Sequence, residues 1–133
     1  MTMTEYAMKT RTDLSPGDAE ALVRQQLAAE GFGVLTEIDV AATLKEKLGV
    51  DRPAYKILGA CRPQLADGAL QAEPDAGLLL PCNVVVYADG ASTVVAILDP
   101  TSMIDTTGNP SLEPFATEAR QRLERVISAL AGD

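Results

Sequence analysis

The sequence contains no histidine and no tryptophan, and only 4 % of its 133 residues are aromatic. Without histidine it can form no Ser-His-Asp or Cys-His catalytic unit, no HExxH zinc protease site and no zinc finger with His ligands. Because aromatic side chains are so few, we expect a core built from Val, Leu, Ile and Ala. These absences remove the usual general base and the commonest metal ligand.

Long hydrophobic runs are also missing. The longest apolar stretch, Gly77–Cys82, is the length of a strand, whereas a membrane-spanning helix needs roughly 20 apolar residues. The first residues, Met1–Asp13, contain no apolar core of the kind found in secretory signal peptides. We therefore expect a cytoplasmic protein with no membrane partner and with reduced thiols rather than a structural disulfide.

Positive charge is scarce. The chain has 11 Lys and Arg against 19 Asp and Glu, for a net charge of −8. Nucleic-acid binding needs clustered positive charge to displace counterions, so we expect no nucleic-acid partner. A length of 133 residues favours a single domain, and we expect residues 1–133 to form one, with a core spanning about residues 5–131.

What is present is a regular alternation of strand and helix patterns, several with capping residues. Ser15 is a candidate N-cap, with its hydroxyl accepting from the N–H of Asp18, and Asp39 is another. Asp99–Gly108 is polar and turn-rich, with Met103 and Ile104 as its expected anchors. Val40, Leu44 and Leu48 form the expected inner stripe of the helix that Asp39 caps. The predicted strands are Tyr6–Thr10, Gly33–Ile38, Tyr55–Cys61, Asn83–Ala88 and Ser92–Leu98, and the predicted helices are 15–31, 39–49, Pro63–Ala72 and Leu112–Leu130.

Asp89-Gly90 predicts a tight hairpin between the last two strands. With these as the two turn residues, Cys82 would lie opposite Ile97 and share one sheet face with Val84, Val86, Val95 and Ile97. The pairs along the hairpin would then be Val86 with Thr93 and Val84 with Val95. A hairpin requires antiparallel strands, which favours the α+β class over a parallel α/β sheet.

The two cysteines are the main candidates for chemistry. Cys61 ends a strand immediately before Arg62-Pro63, where a helix is predicted to begin. The helix dipole and Arg62 would favour its thiolate and lower its pKa. Both thiols could meet if the Tyr55–Cys61 strand lies beside the hairpin, although cysteines also commonly just fill buried space. Two thiols alone are too few for a zinc site.

Other polar groups are weaker candidates. Residues six apart on a strand share a face, so the hydroxyl of Tyr55 could lie near Cys61. Tyr55 is better explained as an ordinary residue of an amphipathic strand. The carboxylates show no spacing that selects an acid–base pair; they are Glu37, Asp39, Asp99 and Asp105.

Six short blocks occur in order over nearly the whole chain, at residues 31–34, 37–40, 44–45, 48–49, 55–63 and 79–87. Together they resemble the domain-of-unknown-function family numbered 302. The resemblance implies a β-α-β-β-β-β-α fold like that of the TATA-binding protein: a curved antiparallel sheet with helices packed on it, commonly dimeric. The family's cysteine blocks fall on Cys61 and Cys82, and Arg62 stands where many relatives have Asn. An Arg there favours an anionic group or a thiolate.

Three functional hypotheses follow. The first is a homodimeric protein that binds a small molecule or a sulfur-seeking metal near the cysteines, with no cofactor identified. The second is a thiol-dependent redox or sulfur-transfer enzyme, in which Cys61 attacks and Cys82 resolves. The third is a structural or interaction module with merely buried cysteines. The candidate ligand-binding residues are Tyr55, Cys61, Arg62, Cys82 and Asn83; Cys61 and Cys82 are also the candidate catalytic residues and metal ligands.

Overall fold

The first long helix shows how closely local sequence controls this fold. In the computed structural model, which describes residues 1–131, helix α1 spans Pro16–Ala29. The Ser15 hydroxyl accepts from the N–H of Asp18 at 3.1 Å, and Gly31 leaves the helix with a φ of +82°. Ser15 thereby satisfies one of the free N–H groups of the first turn, as predicted.

Six antiparallel strands form one open sheet in the order β1-β2-β6-β5-β4-β3. The edge strand β1 has two residues, so five strands make up most of the sheet. The strands are β1 Thr2–Met3, β2 Ala7–Thr12, β3 Gly33–Asp39, β4 Tyr55–Cys61, β5 Cys82–Asp89 and β6 Ser92–Leu98.

The remaining helices lie in the connections and at the end of the chain. They are α2 Val40–Leu48, α3 Pro63–Ala72, α4 Ser102–Thr107 and α5 Glu113–Leu130, with short 3₁₀ turns at Pro74–Leu79 and Pro110–Leu112. Counted without β1 and the connecting helices, the order is β-α-β-β-β-β-α. The predicted α+β class and element order are confirmed.

Helices α1 and α5 cover one face of the sheet, here called the inner face. Every second residue of the central strands points toward them, and Leu58, Val84 and Ile97 are fully buried there. A smaller cluster under α3 and α4 includes Met103 and Leu112. Leu80 packs against both clusters and joins them.

Gly68 explains how α3 approaches α5 so closely. The glycine weakens the helix signal in the sequence, because glycine costs about 1 kcal/mol relative to alanine inside a helix. A Cβ at Gly68 would collide with the ring of Phe115 from α5. The missing side chain therefore lets the two helices pack together beside the end of β4.

The predicted hairpin register is wrong, although the predicted faces are correct. Val84 pairs with Ile97 and Val86 with Val95, so the two turn residues are Gly90 and Ala91. Gly90 has a φ of +61°, and within residues 1–131 no other type of residue has a positive φ. This matches a type II′ turn, which needs glycine only at its first central position.

The observed register shifts the cross-strand partner of each hairpin residue by two positions from the predicted one. Because side chains alternate with a period of two, such a shift leaves every residue on its predicted face. Cys82 therefore shares the inner face with Val84 and Val86 as expected, but it pairs with Ala60 of β4 rather than with Ile97.

Two further expectations are corrected. None of the α2 residues is buried, and Leu48 of the predicted inner stripe is 69 % exposed. The turn-rich stretch Asp99–Gly108 contains helix α4. The Asp99 carboxylate accepts from the N–H and the hydroxyl of Thr101 at 3.0 and 2.7 Å, so polar residues that indicated a turn organise the entry to a helix.

Candidate binding cavity

A small, partly open cavity lies where the ends of β4 and β5 meet α3, α4 and α5. Its volume is about 40 Å³, and its wall is formed mainly by apolar side chains. Arg62 is the one charged residue in that wall. The cavity can hold one or a few small species, since a single water needs roughly 10–15 Å³.

Strand pairing brings the two cysteines to this cavity. Ala60 of β4 lies opposite Cys82 of β5, so Cys61 is one residue beyond that pair. Paired antiparallel residues have Cα atoms only about 5 Å apart. Both cysteines line the cavity and both are free thiols, Cys82 buried and Cys61 partly buried. The Tyr55–Cys61 strand lies beside the hairpin, which is the condition under which the two thiols could meet.

Burial controls the acidity of both thiols. It raises the pKa of Cys82 from 9.0 to about 11, with a smaller contribution from the neighbouring Cys61. Burial also raises the pKa of Cys61. Removing a thiolate from water is costly in an apolar site, so both groups remain protonated at neutral pH. The prediction that the helix dipole and Arg62 lower the pKa of Cys61 is wrong.

The position of Arg62 accounts for this difference. Arg62 is itself the N-cap residue of α3, which leaves Cys61 outside the first helical turn. Its Nη1 donates to Gln64 Oε1 at 3.1 Å, and its Nε lies 3.8 Å from Glu118 Oε2. The positive charge is therefore shared with a carboxylate instead of acting on the thiol alone.

Arg62 nevertheless retains unused hydrogen-bonding capacity. Its Nε is buried and finds no hydrogen-bond partner in residues 1–131. An ideal Cβ at Gly31 would lie 3.0 Å from Nη1, so the glycine provides the room for the guanidinium. Buried donors without partners are uncommon, and an ion or ligand is one of the groups that can complete them.

Tyr55 lies elsewhere. It is at the opposite end of β4, about 20 Å from Cys61 at the usual rise per residue. Its ring stacks on Tyr87 with centroids 5.3 Å apart, and the guanidinium of Arg52 lies 5.1 Å from its centroid. The structure does not bring Tyr55 to the cavity.

Asn83 is next to Cys82 in the chain but projects from the opposite, outer face of the sheet. It pairs with Gly59, whereas Cys82 is on the inner face. Asn83 is exposed and is absent from the cavity wall. Of the five candidate residues, the structure therefore brings together Cys61, Arg62 and Cys82.

Comparison with known proteins now identifies the family. The model of the family described as "Domain of unknown function DUF302" matches residues 8–130. The chain belongs to the DUF302 family. It is also similar to an uncharacterised conserved DUF302 protein from Bacillus stearothermophilus, whose crystal structure superimposes with a TM-score of 0.88 at 27 % sequence identity. That match covers 96 % of this chain and 99 % of the other. No functionally curated protein matches the chain.

Sequence reasoning missed part of the wall of this DUF302 cavity. Met103 and Phe115 both line it. Phe115 belongs to the apolar stripe of α5, which the helical spacing does reveal. Met103 lies in α4, within the stretch expected to be an irregular loop.

Sulfur and imidazole side chains that could bind a metal are few in this protein. Residues 1–131 contain no cluster of three or more His, Cys, Asp or Glu side chains that could hold a metal ion. Any metal held by the cysteines would therefore need a ligand of another type. No helix in the described part of this DUF302 chain is long and apolar enough to cross a membrane.

Proposed function

We propose that this DUF302 protein binds a sulfur-seeking metal ion or a very small ligand in the cavity beside Cys61 and Cys82. The main supporting observation is that two free cysteines from neighbouring strands line one small, partly open cavity. Arg62, with its unpartnered Nε, lies in the same wall. The proposed residues of the site are therefore Cys61, Arg62 and Cys82.

The size of the cavity favours an ion over an organic ligand. Pockets for drug-sized molecules measure roughly 300–1,000 Å³, while this one measures about 40 Å³. An organic ligand of that size class would have to displace wall side chains such as Phe115. A metal ion needs no such rearrangement.

The thiol acidities favour binding over thiol catalysis. An attacking cysteine needs a thiolate near neutral pH, and this usually requires a lowered pKa. Here burial raises the pKa of both cysteines, and the chain has no histidine to act as a base. A metal can displace a thiol proton on binding, so protonated thiols are compatible with a metal site.

The test uses Cys61→Ser and Cys82→Ser, prepared reduced and without oxygen. Binding of Cu(I) and Zn(II) is measured against competing chelators, with Asn83→Ser as the control on the outer face. We expect each cysteine variant to lose tight metal binding and the control to keep it. If neither metal binds the wild-type chain, or if the cysteine variants bind as well as it does, the proposed metal function is wrong.

Alkylation separates the remaining hypotheses. We expect iodoacetamide at neutral pH to modify Cys82 only when the protein is unfolded and Cys61 only slowly in the folded state. Fast, stoichiometric modification of folded Cys61 would favour the redox or sulfur-transfer enzyme. Absence of both metal binding and thiol reactivity would favour the third hypothesis, a structural or interaction module with buried cysteines.

The homodimer is a separate proposal, supported by apolar groups on the outer face. Ile57 and Val85 are half-buried there, and Ile38 is 48 % exposed. Light scattering should give the mass of a dimer, and Val85→Glu should yield a monomer if this face is the interface. The cytoplasmic location and the domain limits of about 5–131 stay predictions.

A further inference from the structure

A third sulfur-containing side chain, that of Met103, lines the cavity. Met103 is only 5 % exposed, although the segment around it is mostly polar. It belongs to α4, which packs beside α5 and the 3₁₀ turn Pro74–Leu79. The hydroxyl of Thr107 donates to the Met103 carbonyl at 2.7 Å and secures the helix at this point. The fold thus brings a thioether from a distant helix to the cavity that holds both thiols.

We propose that the cavity is a Cu(I) site in which Cys61, Cys82 and Met103 supply the ligands. This rests on the proposed function and specifies its metal. Thiolate and thioether are the soft ligands that select Cu(I) among the biological metals. Methionine usually fills gaps in a core, but its position beside two free thiols in one cavity gives it a second use.

Zinc fits the same wall poorly. Structural zinc sites are tetrahedral and take four Cys, His or carboxylate ligands. Beyond the two cysteines, the cavity wall has no such side chain. The nearest carboxylate along the chain from Met103 is Asp105, which is exposed, and buried Asp99 already accepts from Thr101. Cu(I) has no requirement for a fourth ligand of this type.

The charge balance also fits a monovalent ion. Binding converts two thiols and one Cu(I) ion into a bis-thiolate complex with a net charge of −1 and releases two protons, with no change in oxidation state. The Arg62 guanidinium lies in the cavity wall and can compensate part of that charge, the rest of its charge being shared with Glu118. Buried charge is stable only when it is compensated in this way.

The apolar wall serves the same chemistry. Phe115, Leu65 and the other carbon side chains make most of the cavity wall apolar. The shell around a metal controls solvent access and the oxidation state that it favours. An apolar wall with sulfur-containing side chains is suited to holding copper in its reduced form.

The central experiment compares Met103→Leu with Met8→Leu. Both replacements preserve volume, and Met8 is fully buried in the main core away from the cavity wall. Cu(I) affinity is measured without oxygen against a competing chelator, and the sulfur neighbours of copper are counted by X-ray absorption. We expect Met103→Leu to weaken binding by about tenfold or more, as outer-shell changes alone do, and to remove one sulfur neighbour. Met8→Leu should change neither value.

A second measurement uses the wild-type protein and avoids any risk of misfolding. With carbon-13 in the methionine methyl groups, Cu(I) addition should shift the Met103 methyl signal and leave that of Met8 in place. Arg62→Gln should weaken Cu(I) binding more than Arg62→Lys, which keeps the charge.

The outcomes separate the two proposals. If the Met103 methyl does not shift and Met103→Leu binds Cu(I) like the wild type, the third ligand is wrong while the cysteine site stands. If the wild-type chain binds Zn(II) but not Cu(I), the choice of metal is wrong while the cysteine site again stands. If it binds neither metal, both proposals fail.

Discussion

The two ends of strand β4 show opposite solutions for placing ionisable groups beside a sheet. At the Cys61 end, two thiols meet an apolar cavity and their pKa values rise because they are desolvated. At the Tyr55 end, Lys56 Nζ lies 2.9 Å from Glu20 Oε1 and 2.8 Å from Glu37 Oε1. One end keeps its groups neutral, and the other keeps them charged by pairing them.

The difference shows why only one end resembles a binding site. Burial raises the pKa of Glu20, but hydrogen bonds from Lys56 and Arg24 outweigh it and hold that pKa below its usual value. Hydrogen bonds to the carboxylates of Glu37 and Glu20 raise the pKa of Lys56. This end is satisfied internally, whereas the cavity end contains two free thiols and an unpartnered Arg62 Nε. These unused ligands and donors are the reason that we propose the binding site at the cavity end.

The largest effect is expected from placing a carboxyl group at the cavity end. Cys82→Asp should lower the free energy of unfolding by about 3–5 kcal/mol, the usual cost of an unpaired buried charge. The neighbouring outer-face replacement, Asn83→Asp, should change it by less than about 0.5 kcal/mol. Urea unfolding at pH 7 measures both. A loss as small as that of the control would mean that Arg62 or water already solvates the cavity.

Alkaline pH should reveal the desolvated thiol without any replacement. Because the pKa of Cys82 is about 11 in the folded chain and 9.0 in the unfolded chain, only the unfolded chain loses this proton between those values. Stability therefore falls as pH rises through this window, by about 2–3 kcal/mol from this group.

The matched comparison for that prediction is Cys82→Ala. Unfolding is measured from pH 8 upward in both proteins, so that lysine and tyrosine contribute equally to each. Equal slopes in the two proteins would show that Cys82 is not desolvated.

At the other end, Lys56→Met should have a smaller effect. The pairs are partly exposed, so we expect a loss of about 0.5–1 kcal/mol at pH 7. The lowered pKa of Glu20 stabilises the fold above pH 4.5, and this contribution disappears as pH falls below that value. Without Lys56 the pKa of Glu20 rises, so the variant should lose less stability between pH 6 and pH 3. A steeper acid loss than in the wild type would contradict the pairing.

The smallest effect is expected from Tyr55→Phe. The ring stack on Tyr87 is kept, and we expect stability to change by less than about 0.5 kcal/mol. Cu(I) affinity should be unchanged, because Tyr55 is about 20 Å from Cys61. Loss of metal binding in this variant would show that Tyr55 contributes to the site.

Much of the fold could be predicted because its signals are local. Ser15 and Asp39 cap the helices that they precede, and Gly31 and Gly49 follow those helices with positive φ values. The period of two placed Cys82 on the correct face even with the wrong turn. The position of the turn could not be predicted, because two dipeptides, Asp89-Gly90 and Gly90-Ala91, both satisfy the residue preferences of hairpin turns.

The cavity was less predictable than the strands that border it. The adjacency of Cys61 and Cys82 followed from placing β4 beside the hairpin. The sequence indicated Met103 as an anchor of the polar stretch, but its place in the cavity wall depends on the tertiary contacts between the short helix α4 and α5. The family resemblance pointed to the cysteine blocks, yet it carried no information about thiol acidity.

The sequence by itself determined the α+β class, the helix limits and the faces of the strands, because caps and side-chain periodicity act over a few residues. It also determined that no histidine assists either cysteine. Only the tertiary structure decided that Cys61, Cys82, Arg62 and Met103 border one cavity. It likewise decided that the thiols stay protonated, since desolvation sums over walls contributed by elements far apart in the chain.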